Sequence, residues 1–225
     1  MPTLPDHVQS IVTEIETDIG ESIEGSGLPV GRSDWGDAPR IEHAVRDILV
    51  EIGEDPDREG LRGTPERMHR MYHELTAGYH VDPARLVNGA VFAVEYSEMV
   101  VVKGIEFYSL CEHHLLPFFG TAAVGYLPRE RVIGLSKIPR IVEMYARRLQ
   151  VQERLTQEVA EFLMATIDPL GVGVVIEARH LCTAMRGVRK GGTTMVTSAV
   201  LGQFRRSQRT REEFLAHLER GDSRG

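Results

Sequence analysis

The sequence holds only two cysteines, Cys111 and Cys182, in 225 residues. That scarcity excludes a small secreted scaffold built on disulfides, and it leaves two thiols that a reducing compartment keeps available for metal. No apolar run approaches the roughly 18 residues of a membrane span. The first twenty residues carry Asp6, Glu14, Glu16 and Asp18, so they do not read as a secretory signal. A cytoplasmic location with no membrane partner is the expectation. There is no internal repeat and no Walker or Rossmann glycine fingerprint. An excess of basic charge is also missing: 26 Lys+Arg stand against 33 Asp+Glu, a net charge of −7, which argues against a nucleic-acid partner.

What is present is globular in character, with 42% hydrophobic and 26% charged residues. A chain of this length buries about 70% of its unfolded surface and needs no covalent staples. Its charge is unevenly spread. Residues 1–40 contain eight acids and two bases, net −6, and the stretch 26–39 is rich in Gly, Pro and Ser. Residues 1–39 therefore read as an acidic, flexible leader. Residues 178–211 carry eight bases and no acid. A local positive field in a near-neutral domain points to a small polyanion such as a nucleotide, with Arg205 to Arg211 read as solvated.

Periodicity gives the order of elements. Ile41, Ala44, Val45, Ile48, Leu49 and Ile52 form one helical stripe, stopped by Gly53 and Pro56. Thr64-Pro65-Glu66 reads as N-cap, first residue and acidic first turn of a second helix that continues through Met68, Met71, Tyr72 and Leu75. After residue 90 the composition turns β-branched and aromatic, predicting strands over 91–94, 99–110 and 118–127. Ser136 is placed to cap a helix containing Ile138, Ile141, Val142 and Tyr145, and Leu155, Val159, Phe162 and Leu163 mark a longer one that Asp168-Pro169 ends. Strands follow over 172–178 and 193–201, and Thr210-Arg211-Glu212-Glu213 is a capping-box match opening a terminal helix. Helices, then strands, two helices, two strands and a helix make an α+β fold rather than an alternating one. The organisation read from this is a leader over 1–39, a helical segment over 40–90 and the main domain over 91–225.

Cys111-Glu112-His113-His114 is the densest chemical signal. Cys111 and His114 have the C-x-x-H spacing of a metal chelate, and the second cysteine arrives in His180-Leu181-Cys182. Two thiolates and one imidazole make three ligands. Structural zinc takes four protein ligands, whereas catalytic zinc keeps a position for water, so the count favours a catalytic ion. A fourth ligand from His113 or His180 would instead close the site. Two further readings compete: the cysteines as buried small hydrophobes, or as a disulfide, which a reducing compartment disfavours. Beside a metal, His113 and His180 are candidates for general acid–base work, because imidazole titrates near neutrality.

The chain resembles the GTP cyclohydrolase I family. The resemblance is carried by the run from Ser109 to Gly120 around Cys111-Glu112-His113-His114, by Val132 to Lys137 followed by Arg140, and by Val151-Gln152-Glu153-Arg154-Leu155-Thr156. His180-Leu181-Cys182, Met185 to Val188, Thr197-Ser198 and Phe204-Arg205 continue it. It runs from about residue 41 to 218, leaving the leader outside. Thr183-Ala184 and Arg189 depart from the family pattern without touching a ligand.

The resemblance implies a zinc-dependent hydrolase that converts GTP and water to 7,8-dihydroneopterin triphosphate and formate, at the head of pterin (tetrahydrofolate-type) biosynthesis. It implies a tunnelling fold, an antiparallel sheet with helices on one face, behind N-terminal helices, and a homodecamer of two stacked pentameric rings. By the same resemblance Cys111, His114 and Cys182 match the zinc ligands and His113 and His180 the catalytic histidines. Gln152 and Glu153 match the guanine-recognition segment, and Ser136, Lys137, Arg140 and Arg186 the ribose and triphosphate contacts. Two alternatives stay open: a tunnelling-fold reductase acting on the nitrile of a deazaguanine through a cysteine nucleophile, and a zinc-stabilised protein that binds a nucleotide without turnover.

Overall fold

The computed structural model describes residues 40–87 and 89–219, and the acidic leader read at 1–39 lies outside the described residues. Contacts divide the chain into two compact units, one ending at His80 and one beginning at Val81.

In the first unit, helix α1 (Arg40–Glu51) packs against α2 (Thr64–Leu75), and a 3₁₀ turn follows over Ala77–Tyr79. Gly53 ends α1 because its φ of +87° is one that side-chain-bearing residues rarely adopt. Within this unit only part of the expected stripe is covered: Val45 and Leu49 are buried, whereas Ile48 and Ile52 are exposed. The cap at the start of α2 also differs from expectation. Gly63 occupies the N-cap and Thr64 is already helical, its hydroxyl accepting from Arg67 at 3.0 Å.

The second unit runs α3 (Pro83–Val87), β1 (Val91–Ala93), β2 (Val100–Cys111), β3 (Pro117–Leu127), β4 (Arg131–Ile133), α4 (Lys137–Ala146), β5 (Leu149–Gln150) and α5 (Gln152–Ile167). It ends with β6 (Gly171–His180), α6 (Leu181–Ala184), β7 (Met195–Gly202), α7 (Gln203–Arg206) and α8 (Gln208–Glu219). The main sheet has the order β5-β2-β3-β6-β7, antiparallel except for the two-residue β5, while β1 and β4 form a small sheet of their own. This is the α+β architecture the element order predicts.

Alternation along the strands sends Phe118, Ala122, Val124 and Tyr126 of β3 and Val172, Val174, Ile176 and Ala178 of β6 to one face. There they meet Ile138, Ile141 and Val142 of α4 and Leu155, Val159, Leu163 and Ile167 of α5, all buried. Asp168 stops α5 in the left-handed conformation, φ 44° and ψ 56°, before Pro169. The opposite face is only locally covered. Phe204 and Phe214, from α7 and α8, meet edge to face at 5.4 Å and lie against Gly125 and Gly173, where a side chain would collide with them. Helix α8 opens three residues before the capping-box match: the Ser207 hydroxyl, not that of Thr210, accepts the cap bond, from the Thr210 amide at 3.2 Å.

Strands β3 and β6 approach closely at Gly120, where a Cβ would run into the carbonyl oxygen of Glu177. Gly120→Ala must push the two strands apart, so it is expected to cost at the upper end of the roughly 1–3 kcal/mol typical of overpacking. At about 2–4 °C per kcal/mol for a chain of this size, a thermal melt reads the loss directly. An unchanged Tm would show that the strands yield there freely.

Candidate active site

The cysteines and histidines of the sequence motifs gather where β2 ends, β3 begins and β6 ends. Cys111 is the last residue of β2, buried on the core side. A tight turn over Glu112–Leu116 returns the chain into β3, closed by the Leu115 amide on the Cys111 carbonyl (2.8 Å) and the Cys111 amide on the Leu116 carbonyl (2.9 Å). Leu115 adopts φ +55° to make this turn, a left-handed conformation that costs a branched residue about 1–3 kcal/mol and clusters at functional sites. The strand register then sets Phe118 opposite His180. Two residues later, within α6, Cys182 brings its thiol to Cys111 and His114.

The Cys111 Sγ lies 3.8 Å from His114 Nδ1 and 3.9 Å from His113 Nδ1. What separates the two histidines is Cys182: the donor atoms of Cys111, His114 and Cys182 all lie within 4.8 Å of one another, and His113 is outside that set. Ligands 2.3 Å (sulfur) and about 2.0–2.1 Å (nitrogen) from one tetrahedral ion stand roughly 3.5–3.8 Å apart. The three donors therefore fit a metal ion with modest adjustment. Burial, and next the nearby Cys111, push the Cys182 thiol above its ordinary range. The Cys182 thiol holds its proton in this pocket unless a cation compensates the thiolate, the chemistry expected of a metal ligand. Both cysteines are free thiols, so the disulfide reading does not hold.

His113 sits exposed on the turn, with Nε2 3.8 Å from Glu112 Oε1. Glu112 is held in turn by Arg154 from the first turn of α5, and this partner keeps its carboxyl below the ordinary range. Arg154 also donates to the Leu149 carbonyl (3.0 Å) and Gln150 Oε1 (3.0 Å), while the Glu112 amide donates to the Gln150 carbonyl (3.0 Å). The turn bearing the donors is thus fastened to the start of α5.

His180 stacks on Phe118 with ring centroids 4.6 Å apart and planes 2° from parallel, and its Nε2 lies 2.8 Å from Gln152 Oε1. Burial pushes its imidazole below the ordinary value, with Glu153 pulling weakly the other way. The neutral form is favoured.

The substrate-contact candidates divide. Glu153 is exposed at the start of α5, close enough to act on His180 electrostatically. Gln152 departs from expectation: it is 1% exposed and its carboxamide is engaged inside the protein, so its side chain is not a guanine contact. Ser136, Lys137 and Arg140 form a second group at the opening of α4. Ser136 holds the N-cap position without a side-chain cap bond, so its hydroxyl does not serve the helix as the sequence suggested. Arg186 is exposed just beyond α6, near enough to lower the Cys182 thiol slightly. Sequence reasoning gave no role to Arg154 or Phe118. Both stand inside the quoted motifs, but nothing in their spacing reveals the partner each one meets.

An α+β sheet carrying two thiols and an imidazole in mutual reach, flanked by two more imidazoles, defines a protein with a metal-enzyme type of centre. The GTP cyclohydrolase I family model matches residues 41–219, and the chain belongs to that family. Among curated proteins, the GTP cyclohydrolase 1 of Leptospira biflexa is 55% identical over 181 residues, covering 80% of this chain and 99% of the relative. That of a Synechococcus strain is 56% identical over 187 residues (83% and 81%), and that of Campylobacter jejuni is 55% identical over 177 residues (79% and 93%). Among solved structures, an archaeosine synthase QueF-Like in the apo form aligns with TM-score 0.40 and 21% identity over 46% of this chain and 93% of that one.

Proposed function

We propose that this chain is a zinc-dependent hydrolase of the cytoplasm that converts GTP and water to 7,8-dihydroneopterin triphosphate and formate, opening a pterin (tetrahydrofolate-type) pathway. The observation that carries this reading is the mutual approach of Cys111, His114 and Cys182 with His113 and His180 beside them. Those three residues would hold zinc, which supplies a water acidic enough to act as nucleophile at neutral pH. The exposed carboxylate of Glu153 can accept both N1–H and the 2-amino group of guanine, a paired acceptor for paired donors. Lys137, Arg140 and Arg186 offer cations for the triphosphate, Arg as a fixed fork and Lys as a mobile charge. Ser136 brings a hydroxyl to the same helix start. In this reading His113 protonates the guanine imidazole ring as it opens, and C8 leaves as formate in a second hydrolysis.

Incubation of the purified chain with GTP is expected to release formate together with a pterin product. Tight GTP binding without formate would favour the nucleotide-binding alternative. NADPH-dependent reduction of a deazaguanine nitrile would favour the reductase.

The active form in this reading is a closed homo-oligomer, a decamer of two pentameric rings. Two features support it. Strand β7 pairs only with β6 among the described residues, and β2 is paired on its outer side only at Leu110 and Cys111, so both sheet edges are long and open. Tyr108 and Val196 stand exposed on the sheet, and Ile48 and Ile52 on α1. Closed rings satisfy such edges. Sedimentation should show a large assembly, and a fully active monomer at assay concentration would refute the reading.

A further inference from the structure

We infer that Gln152 is a positioning residue for His180, holding the imidazole with Nε2 as donor so that Nδ1 is the nitrogen offered to substrate. The inference rests on the reading of His180 as a catalytic group. Gln152 opens α5 and reaches between two strands. Its Nε2 lies 3.0 Å from the carbonyl oxygens of both Ile176 on β6 and Met195 on β7. Carbonyl oxygens only accept hydrogen bonds, so the nitrogen of the carboxamide must face them. A flipped amide would set its oxygen against two others. The Oε1 atom is therefore the one directed at His180, 2.8 Å away, and an amide oxygen only accepts. His180 Nε2 must then carry the hydrogen.

Two threonines lock the amide further. The Thr156 hydroxyl donates to the Gln152 main-chain carbonyl at 2.6 Å, which uses its single hydrogen. The 2.7 Å contact between the two threonine hydroxyls therefore runs from Thr197 to Thr156. Thr197, having donated there, presents its oxygen to Gln152 Nε2 at 3.1 Å as a third acceptor around a nitrogen with two hydrogens, so one of those hydrogens is shared. Every hydrogen bond in this circuit has one permitted direction, and Gln152 and Thr156 are each 1% exposed. In so buried a setting, reversing one member leaves another polar group unsatisfied. The ring plane is fixed separately by the stack on Phe118, itself fully buried. Nδ1 has no partner among the described residues. This nitrogen is the one a substrate or product group can engage, and its orientation is set before any ligand arrives.

A double-mutant cycle on the full-length protein tests the assignment, with zinc content, Tm and the single-turnover rate of formate release measured on each preparation. Gln152→Met removes the acceptor while keeping the side-chain length. It is expected to lower the rate about 10–100-fold, less than the roughly 10²–10⁴-fold loss for removing the acid–base group itself, with KM for GTP and zinc content unchanged. In the His180→Ala background the same change should cost no more than about twofold, because a residue acting through His180 has nothing left to position. Equal losses in both backgrounds would overturn the inference, as would a raised KM with unchanged rate, the sign of a substrate contact. Near-wild-type release by His180→Ala alone would remove His180 from the mechanism and the inference with it. That outcome is visible before Gln152 is altered. Should Gln152→Met fail to fold, Thr197→Val loosens the amide while leaving it in place. It should give a smaller loss that again vanishes without His180, and a loss that persists there would equally refute the assignment.

Discussion

Cys182→Ser is expected to yield a folded protein with no bound zinc and no formate release. Cys111 and His114 lie in one strand–turn segment, and Cys182 supplies the donor from across the sheet. A hydroxyl is a far poorer zinc ligand than a thiolate, so the remaining pair has only two strong donors. Metal analysis should fall from about one zinc per chain to near zero, and added zinc should not restore the rate. The wild-type protein stripped by a chelator should likewise lose zinc and rate, but should recover both when zinc is returned. Full activity in the metal-free wild type would refute the proposal at its root.

His113→Ala should separate chemistry from metal binding. His113 is close to Cys111 yet outside the set of three mutually close donors, and its ring stands exposed on the turn. Its removal leaves those donors and the Glu153 carboxylate intact. The variant is expected to keep zinc and GTP affinity while losing about 10²–10⁴-fold in turnover, the range for removal of a positioned acid–base group. Loss of zinc along with turnover would instead assign His113 to ligand support. A near-normal rate with zinc retained would shift the proton donor to His180.

The metal-type centre was legible in the sequence because two of its three donors are local. C-x-x-H on a strand end closes within one turn, and the only other cysteine had nowhere chemically better to go. The long elements were legible for the same reason: α5 and β3 span enough residues for their periods to show. The elements that escaped, α3, β4, β5, α6 and α7, have two to five residues each and no period to read. Caps escaped because a helix start is decided among neighbouring candidates. Ser207 outcompetes Thr210 at α8, and the Ser136 hydroxyl makes no cap bond at α4. Gln152 shows the deeper limit. A polar residue at the first position of a helix is ordinarily exposed, and only the docking of α5 on β6 and β7 turns it inward. Its neighbour Glu153, one step around the helix, stays outside. Sequence resemblance treats the two alike, whereas the packing gives them different work.

The two strand ends that carry the sulfurs are separated in the sheet by β3, with Cys111 on β2 and Cys182 just past β6. A shared ion would therefore act as a reversible clasp across three strands, and the folded population would follow the free metal concentration by mass action. At a hundred times its dissociation constant, such an ion adds about 2.7 kcal/mol to the folded state. A zinc-starved cell would then lose more than turnover. Chains synthesised without the ion would open more often at this end of the sheet, so the protein's half-life would itself report zinc supply.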